Sequence, residues 1–285
     1  MIHLIIYFLL SIDYPWLMSL TTKGVCLLGC KKQIAIKHST DHILTCADLL
    51  RNIREGSNTP GYLIRVQHRY RKNTYWLLLA VPKTSILKDL DRFLRNIWLE
   101  CCGHLSKFDI PGASNKSAFA ISQLHVGDRF GYDYDFGSTT SLLLHVEENI
   151  ACPADTKVTC LMRNVDPGIP CENCYVGKTK KADRILATVW YDDMPICDRC
   201  HQNCQTRRRA KKARTTGGDE CKVGDYKDNG NEENEEDEAD EEDEYEYDER
   251  LLLPVVNSPR TGECGYTGEE PAFEHDDSVD IMPFF

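Results

Sequence analysis

The sequence lacks any hydrophobic run long enough to span a membrane. Its one marked apolar run is short and lies near its start. The apolar stretch covers residues 1–12 and is continuous over residues 4–10. It has no preceding positive charges, which a signal peptide needs, and it is shorter than the about 20 residues of a spanning helix. We therefore expect no membrane partner. For the apolar N-terminal extension, residues 1–21, three interpretations stay open: an extension upstream of a working start at Met18, a docked apolar segment, or a true signal peptide.

A second absence is that of Lys and Arg in residues 231–249, which carry 14 Asp and Glu. This stretch outweighs the net charge of −11, so the remainder of the chain is mildly basic. Residues 206–250 are predicted to be disordered, because an acidic run of this composition cannot bury a core. The segment begins with a basic run whose cations are candidates for nucleic-acid binding, with a solvated linker as the alternative. These cations are Arg207, Arg208, Arg209, Lys211, Lys212 and Arg214.

The chain also lacks the pattern of a small disulfide scaffold, although it has 14 cysteines in 285 residues. Many of them are separated by two or three intervening residues, which is the spacing of metal ligands on a knuckle. Zinc prefers four sulfur or imidazole ligands at the corners of a tetrahedron. We therefore expect a reducing, cytoplasmic environment and two structural Zn²⁺ sites.

The first cysteine module, residues 22–56, is predicted to be a zinc finger with the spacing Cys-x3-Cys-x11-His-x3-Cys. Its ligands are Cys26, Cys30, His42 and Cys46. Residues 39–56 have apolar positions at helical spacing, so we predict one helix with His42 and Cys46 on the same face. His38 is the substitute ligand, and buried thiols beside a surface histidine are the alternative to a metal site.

The second cysteine module, residues 168–205, is predicted to be a four-cysteine zinc ribbon with two Cys-x2-Cys knuckles. Its ligands are Cys171, Cys174, Cys197 and Cys200. Residues 187–193 between the knuckles have the composition of a strand, and His201 and Cys204 lie close enough to be spare ligands. A redox pair or a disulfide-bridged loop is the alternative. Neither module can bury a core by itself, so metal is expected to supply much of its folding energy.

The region between the modules, residues 60–165, is predicted to be a mostly antiparallel sheet with a covering helix. Period-two alternation and short apolar runs bounded by turn residues indicate the strands, and apolar residues on one helical stripe indicate the helix. The predicted strands are 62–70, 74–82, 107–110, 118–123, 130–136, 140–146 and 157–163, and the predicted helix is 85–98. The fold class is therefore α+β, with a finger before the core, a ribbon after it, and a turn-rich segment at residues 251–285.

Two segments carry a resemblance to a known family: "KDLDRFLRNIWLECCGHLSKFDI" at 88–110 and "YDYDFGSTTSLLLHV" at 132–146. A helix that ends near Gly-His-Leu, a downstream Phe and a Tyr-Asp-Phe-Gly turn are features of the plasmid pRiA4b ORF-three-like family, also called transposon TnpR-like. The chain resembles this family over roughly residues 62–164. Some members have a Cys-His finger, a cysteine ribbon and an end similar to "VVNSPRTGECGYTG", which here occupies residues 255–268.

The resemblance implies a fold and an occurrence near mobile elements, but no established reaction. In this chain "GSTTS" follows the Tyr-Asp-Phe-Gly segment, where many relatives have a Gly-Asp-Gly-Trp turn and a histidine. The resemblance therefore implies no activity that depends on that turn, although His145 lies farther along the same predicted strand.

Three functions stay open from the sequence. The first is a zinc protein that associates with nucleic acid, and the second is a protein-interaction adaptor whose acidic run attracts basic partners. The third is a metal-dependent hydrolase that uses His104 with Asp133 and Asp135, while His125 and Glu100 are nearby polar groups. No recognised catalytic motif supports it, and a shared polar face of the strand end explains the carboxylates equally well. Cys101 and Cys102 are interpreted as core thiols, and Cys264 as a structural cysteine that could approach a metal site.

Overall fold

The structure is a computed structural model that describes residues 20–55, 58–110, 119–153, 156–171, 184–186, 194–200, 202 and 252–268. These residues divide into two compact units, one up to Ile169 and again from Pro254 onward, the other from Pro170 to Leu253. The N-terminal extension up to residue 19, the basic and acidic runs, and predicted strand 187–193 lie outside the described residues. No helix in the described ranges is long and apolar enough to cross a bilayer.

The larger sheet has eight strands in the order β2-β1-β8-β4-β3-β7-β6-β5, and every neighbouring pair is antiparallel. A smaller sheet has the order β10-β9-β11. The strands are β1 Lys23–Cys26, β2 Gln33–Ala35, β3 Asn58–His68, β4 Trp76–Pro82, β5 Ser106–Asp109, β6 Arg129–Tyr134, β7 Thr140–Pro153, β8 Thr159–Asn164, β9 Arg184–Leu186, β10 Met194–Ile196 and β11 Leu252–Pro254. The helices are α1 Ser39–Thr45, α2 Ala47–Glu55 and α3 Leu87–Leu94. This architecture confirms the prediction of a mostly antiparallel sheet with few helices.

One face of the sheet is covered by α3, as its apolar stripe predicts. Leu87, Leu90 and Leu94 of the helix are fully buried against alternate residues of the central strands, such as Ile64 and Leu79. The backbone N–H of Ile86 donates a hydrogen bond of 3.0 Å to the Asp89 carboxylate, which satisfies one of the open donors at the start of the helix. After Leu94 the chain widens into one π-helical turn, Arg95–Leu99.

The opposite face of the sheet is covered by the first cysteine module. Ile43 of α1 and Leu49 of α2 belong to the same buried cluster as Trp76 and Leu78 of β4. Every residue of β4 is buried, because the strand is covered on both faces. This double coverage explains why residues 74–82 are a continuous apolar run rather than an alternating one.

Arg65 of β3 fastens the module to this face. Its guanidinium donates hydrogen bonds of 3.1 Å to the carbonyl of Ile36 and to the hydroxyl of Ser39, and it forms an ion pair with Glu147 of β7. Thr40 of α1 donates to the same carboxylate. The edge strand β2 and strand β1 continue the sheet itself, so the cysteine module shares its backbone pairing with the core.

The prediction of one helix over residues 39–56 is wrong. Helix α1 ends at Thr45, Cys46 has extended backbone angles (φ −68°, ψ 120°), and α2 begins at Ala47. Both helices pack on the same face of the sheet, so the apolar spacing continues across the break. A single extended residue between them therefore does not change the pattern.

The prediction of a strand at 118–123 is also wrong for its described part. Ile121–Gln123 form a short 3₁₀ turn, and only Ala120 makes an isolated bridge, with Ile86. The carbonyl of Phe119 accepts a hydrogen bond from Leu87, and the N–H of Ile121 donates to Ser85. The backbone of this segment therefore pairs with the start of α3 instead of a strand.

Candidate metal centres

The first cluster consists of the four predicted ligands of the N-terminal module, Cys26, Cys30, His42 and Cys46. Their sulfur and imidazole donor atoms all lie within 4.8 Å of one another. The Cys30 Sγ and the His42 Nε2 are 3.4 Å apart. The structure therefore brings together all four residues, and they could hold a metal ion. His38, the substitute ligand, is exposed and does not belong to the cluster.

Two backbone features aim these donors at one point. Cys26 ends β1 and Cys30 lies in the turn before β2, so the β1–β2 hairpin forms the knuckle. His42 projects from α1, and the extended backbone at Cys46 turns its side chain into the buried side of the same helix end. The break between α1 and α2 thus places the fourth donor.

The electrostatics of the first cluster suit a cation. Burial, together with the Cys30 thiol, raises the pKa of Cys26 to about 12, so this thiol keeps its proton unless a positive charge is close. A hydrogen bond from the backbone N–H of Lys32 lowers the pKa of Cys30. Burial and then the charge of Lys32 lower the pKa of His42, which favours the neutral imidazole that metals bind.

The second cluster contains Cys171, Cys197 and Cys200, whose sulfur atoms lie within 4.8 Å of one another. Cys171 and Cys197 are buried, and Cys200 is partly exposed. Three predicted ribbon ligands therefore come together and could hold an ion. The fourth predicted ligand, Cys174, and the spare ligands His201 and Cys204 lie outside the described residues.

A third cluster, which the sequence analysis missed, consists of Cys101, Cys102, His104 and Cys264. Its four donor atoms also lie within 4.8 Å of one another. The His104 Nε2 is 2.9 Å from the Cys102 Sγ and 3.0 Å from the Cys264 Sγ. The Cys102 Sγ is 3.8 Å from both other sulfur atoms.

The interpretation of Cys101 and Cys102 as core thiols is wrong for Cys102. Cys102 is exposed and faces His104 and Cys264, whereas Cys101 is partly buried and packs against the core. The segment "CCGH" offers three donors in four residues, and this local signal could have indicated a metal knuckle. Its partner Cys264 is too distant in sequence to be assigned from spacing.

A buried ion pair supports His104. The His104 Nδ1 lies 3.6 Å from the Asp135 carboxylate, and Asp135 accepts a hydrogen bond of 2.5 Å from the fully buried Arg260. Although burial raises the pKa of Asp135, the hydrogen bonds from Arg260, Gly137 and Ser138 lower it to about 2. Asp135 is therefore a carboxylate at neutral pH, and it faces the imidazole nitrogen that does not face the thiols.

The carboxylates of the hydrolase hypothesis have separate partners. Asp133 accepts a hydrogen bond of 2.7 Å from Ser141 and lies 3.6 Å from the Lys107 ammonium, while Asp135 is paired with Arg260. Asp133 does not belong to any of the His, Cys, Asp and Glu groups that could hold an ion within the described ranges. The structure thus brings Asp135, but not Asp133, to His104.

Glu100 belongs to a buried network at the end of α3. Its carboxylate accepts hydrogen bonds from Arg95 (2.8 Å), Tyr134 (2.9 Å) and the backbone of Gly103. Arg95 also pairs with Asp91 at 2.9 Å. These contacts assign Glu100 to positioning the turn before His104. His125, the other polar candidate, is exposed and lies 3.7 Å from Asp128.

The predicted nucleic-acid-binding residues lie outside the described residues. Within the part that the structure describes, four lysines of the N-terminal module are exposed around the β1–β2 hairpin and the turn after it. They are Lys23, Lys31, Lys32 and Lys37. Two of them, Lys31 and Lys32, directly follow Cys30 of the first cluster.

No model of a known protein family matches the chain, and no curated protein matches it significantly. Among solved structures, the chain is similar to one titled "Crystal Structure of Protein of Unknown Function MM3350 from Methanosarcina mazei Go1". The similarity has a TM-score of 0.32 and 15% identity, and it covers 37% of this chain and 69% of that chain. A similarity of this size supports no inference about fold or function.

Proposed function

We propose that the protein binds structural Zn²⁺ at the first and second clusters and associates with nucleic acid through its basic segments. The observation that carries this proposal is the first cluster, where four zinc-type donors converge beside exposed lysines. The resemblance to the plasmid pRiA4b ORF-three-like family extends the proposal to a role linked to a mobile element.

The donor sets favour zinc over other metals. Three thiols and one imidazole in the first cluster, and cysteines alone in the second, are the ligands of closed structural zinc sites. Hard cations such as Mg²⁺ and Ca²⁺ prefer oxygen ligands. The three cysteines of the first cluster form no disulfide bonds, so their thiols are available to an ion.

The positive charge supports a phosphate-rich partner. Lys31 and Lys32 are exposed directly after Cys30 of the first cluster, and in the sequence Arg207 to Arg214 follows the second module. Lysine and arginine side chains on a rigid support release counterions from a nucleic acid when they bind its phosphates. In each module a zinc ion would hold the backbone next to these charges. The two modules would then share the role of presenting positive charge to phosphates.

Metal content tests the zinc part of this proposal. We expect Cys30→Ser and Cys200→Ser each to lower the zinc content of the purified full-length protein by one ion per chain, because each removes one of the donors. Cys152→Ser is the matched control, since Cys152 is a buried thiol outside all three clusters. Unchanged zinc content in both ligand variants would refute the zinc assignment.

Nucleic-acid binding is tested with random duplex and single-stranded DNA between about 50 and about 200 mM salt. Replacing the six cations of residues 207–214 by alanine should weaken binding and flatten the salt dependence by about 0.9 in slope for each lost contact to a duplex phosphate. A variant with its four arginines changed to lysine keeps the charge and should bind like the original protein. Binding without a steep salt dependence in the original protein would contradict the proposal and favour the adaptor.

A further inference from the structure

We propose that Cys101, Cys102, His104 and Cys264 bind a third Zn²⁺ ion, and that this ion fastens the C-terminal segment, residues 255–268, to the sheet. Three of the donors come from one short loop after α3, and the fourth comes from the C-terminal segment. The site is distinct from both clusters of the proposed function, and it does not depend on nucleic-acid binding.

The sulfur–sulfur distances at Cys102 fit a tetrahedral zinc site. With Zn–S bonds of about 2.3 Å and a Zn–N bond of about 2.0 Å, sulfur atoms lie about 3.8 Å apart and sulfur and nitrogen about 3.5 Å apart. The two sulfur–sulfur distances at Cys102 are both 3.8 Å. The His104 Nε2 is closer to the sulfur atoms, at 2.9 and 3.0 Å, so we expect the imidazole to move outward by roughly half an ångström to admit the ion.

The backbone on both sides of the site is shaped to bring the donors together. Gly103 has a φ of +82°, which reverses the chain and puts His104 beside Cys102. Cys264 itself has a φ of +48°, a left-handed backbone conformation that residues other than glycine rarely adopt. Such a conformation is strained and persists where other contacts require it.

Contacts that do not involve sulfur hold the C-terminal segment in place. Ser258 donates a hydrogen bond of 2.6 Å to the carbonyl of Trp98, just before the loop that carries three of the donors. Arg260 is fully buried and donates to Asp135 and to the carbonyl of Ser138. Cys264 is therefore delivered to the other donors by a docked segment, so its position is not an accident of two exposed thiols.

Asp135 orients the imidazole for metal binding. Its carboxylate faces the His104 Nδ1 and leaves the Nε2 toward the three sulfur atoms. A carboxylate beside the second ring nitrogen is a common feature of histidine ligands, because it fixes the tautomer and makes the ligand more basic. The same carboxylate is bound by Arg260, so the core supports the ligand through a fully buried ion pair.

A disulfide, or hydrogen bonds between the thiols and His104, would explain the position of only some of the four donors. A disulfide between Cys102 and Cys264 would use two thiols, and it would not account for the His104 Nε2 that faces both of them. Thiols that only hydrogen-bond to His104 would not need a third sulfur atom within 4.8 Å. Three thiols and an imidazole within this distance form a complete zinc ligand set, which is the explanation that uses all four residues.

Variants of the full-length protein test the site by metal content. We expect Cys264→Ser and Cys102→Ser each to contain one zinc ion fewer per chain than the original protein. Cys160→Ser is the matched control, because Cys160 is a partly buried thiol outside the three clusters. Zinc content equal to that of the original protein in both ligand variants would overturn the proposal.

A measurement on the original protein avoids any variant that fails to fold. Cys102 and Cys264 are exposed, so a thiol-alkylating reagent can reach them unless an ion holds them. We expect both to be protected in the purified protein and to become reactive after a zinc chelator is added. Rapid alkylation before chelation would overturn the proposal. So would protection that a chelator leaves intact, and removal of that protection by a reductant would identify a disulfide.

Failure here is distinguishable from failure of the proposed function. Loss of zinc in Cys30→Ser and Cys200→Ser reports on the first and second clusters, whereas Cys264 contributes to neither. Zinc at those two clusters together with rapid alkylation of Cys264 would support the proposed function and contradict the third site.

Discussion

At the scale of single residues, His68 is a titratable group whose protonation the fold opposes. It ends β3, is 7% exposed, and its Nδ1 accepts a hydrogen bond of 3.0 Å from the backbone N–H of Arg71. Burial, and then the charge of Arg71, lowers the pKa of His68 from 6.5 to about 3. The folded state thus keeps a neutral imidazole where the unfolded chain binds a proton.

The sign of the pH dependence follows from this lowered pKa. The stabilisation is complete above about pH 6.5 and is lost as the pH falls from there toward about 3. We expect His68→Asn, which keeps an acceptor near the Nδ1 position, to flatten this fall by up to about 1.4 kcal/mol per pH unit in the free energy of unfolding. Denaturant unfolding at several pH values between 6.5 and 5 measures the difference.

The control for this prediction is His125→Asn. The side chain of His125 is 84% exposed, so this variant removes an imidazole without disturbing a buried site. Equal slopes for His68→Asn and the original protein would show that His68 does not cause the acid sensitivity.

At the scale of elements, β1 is a strand of the sheet and also carries a ligand of the first cluster, and it needs a small residue at Gly24 to pack closely. The strand pairs with β8 in the sheet and ends at Cys26 of the first cluster. Gly24 in its middle packs under Trp76, and a Cβ atom there would come within 2.3 Å of the indole and 2.8 Å of Met162. The close approach lets Trp76 fill the space beneath the cysteine module.

We therefore expect Gly24→Ala to destabilise the protein by about 1–3 kcal/mol, because the methyl group overpacks a buried site. Thermal or denaturant unfolding measures this cost. Gly131→Ala in β6 is the matched control, since the nearest atom to its added Cβ is 3.5 Å away, at ordinary contact distance. A similar stability for the two variants would show that Gly24 is not required for the close packing of β1.

At the scale of the whole molecule, the sequence places opposite charges near each other in the chain. The basic run at 207–214 and the acidic run at 231–249 are separated by only 16 residues, and both lie outside the described residues. Opposite charges joined by a short linker meet at high effective concentration. We interpret the acidic run as an internal competitor of nucleic acid for the basic run.

Deleting residues 231–249 should therefore strengthen DNA binding at low salt, and the gain should diminish as salt screens the charges. Titration of labelled DNA at several salt concentrations measures both effects. A variant with a neutral Gly-Ser segment of the same length controls for linker length and should behave like the deletion. Unchanged binding in both variants would remove the autoinhibition hypothesis.

Patterns within short stretches of the sequence are enough to predict many local features of the fold. Period-two and helical spacing predicted α3 and six of the eight strands of the larger sheet, β3 to β8, because these patterns follow from which side of an element faces apolar neighbours. The spacing of Cys26, Cys30, His42 and Cys46 predicted the first cluster, since all four ligands lie within 21 residues. Local spacing fixes local geometry, so these predictions needed no knowledge of the fold.

Which distant segments meet depends on how the whole chain packs. Trp76 and Ile43 lie in one buried cluster because the cysteine module packs on the second face of the sheet, and no pattern within either segment specifies that contact. Likewise, Cys264 joins "CCGH" because Arg260 and Ser258 dock the C-terminal segment onto the core. Contacts between residues about 160 positions apart depend on the packing of the whole unit, which is why the third cluster became visible only in the folded chain.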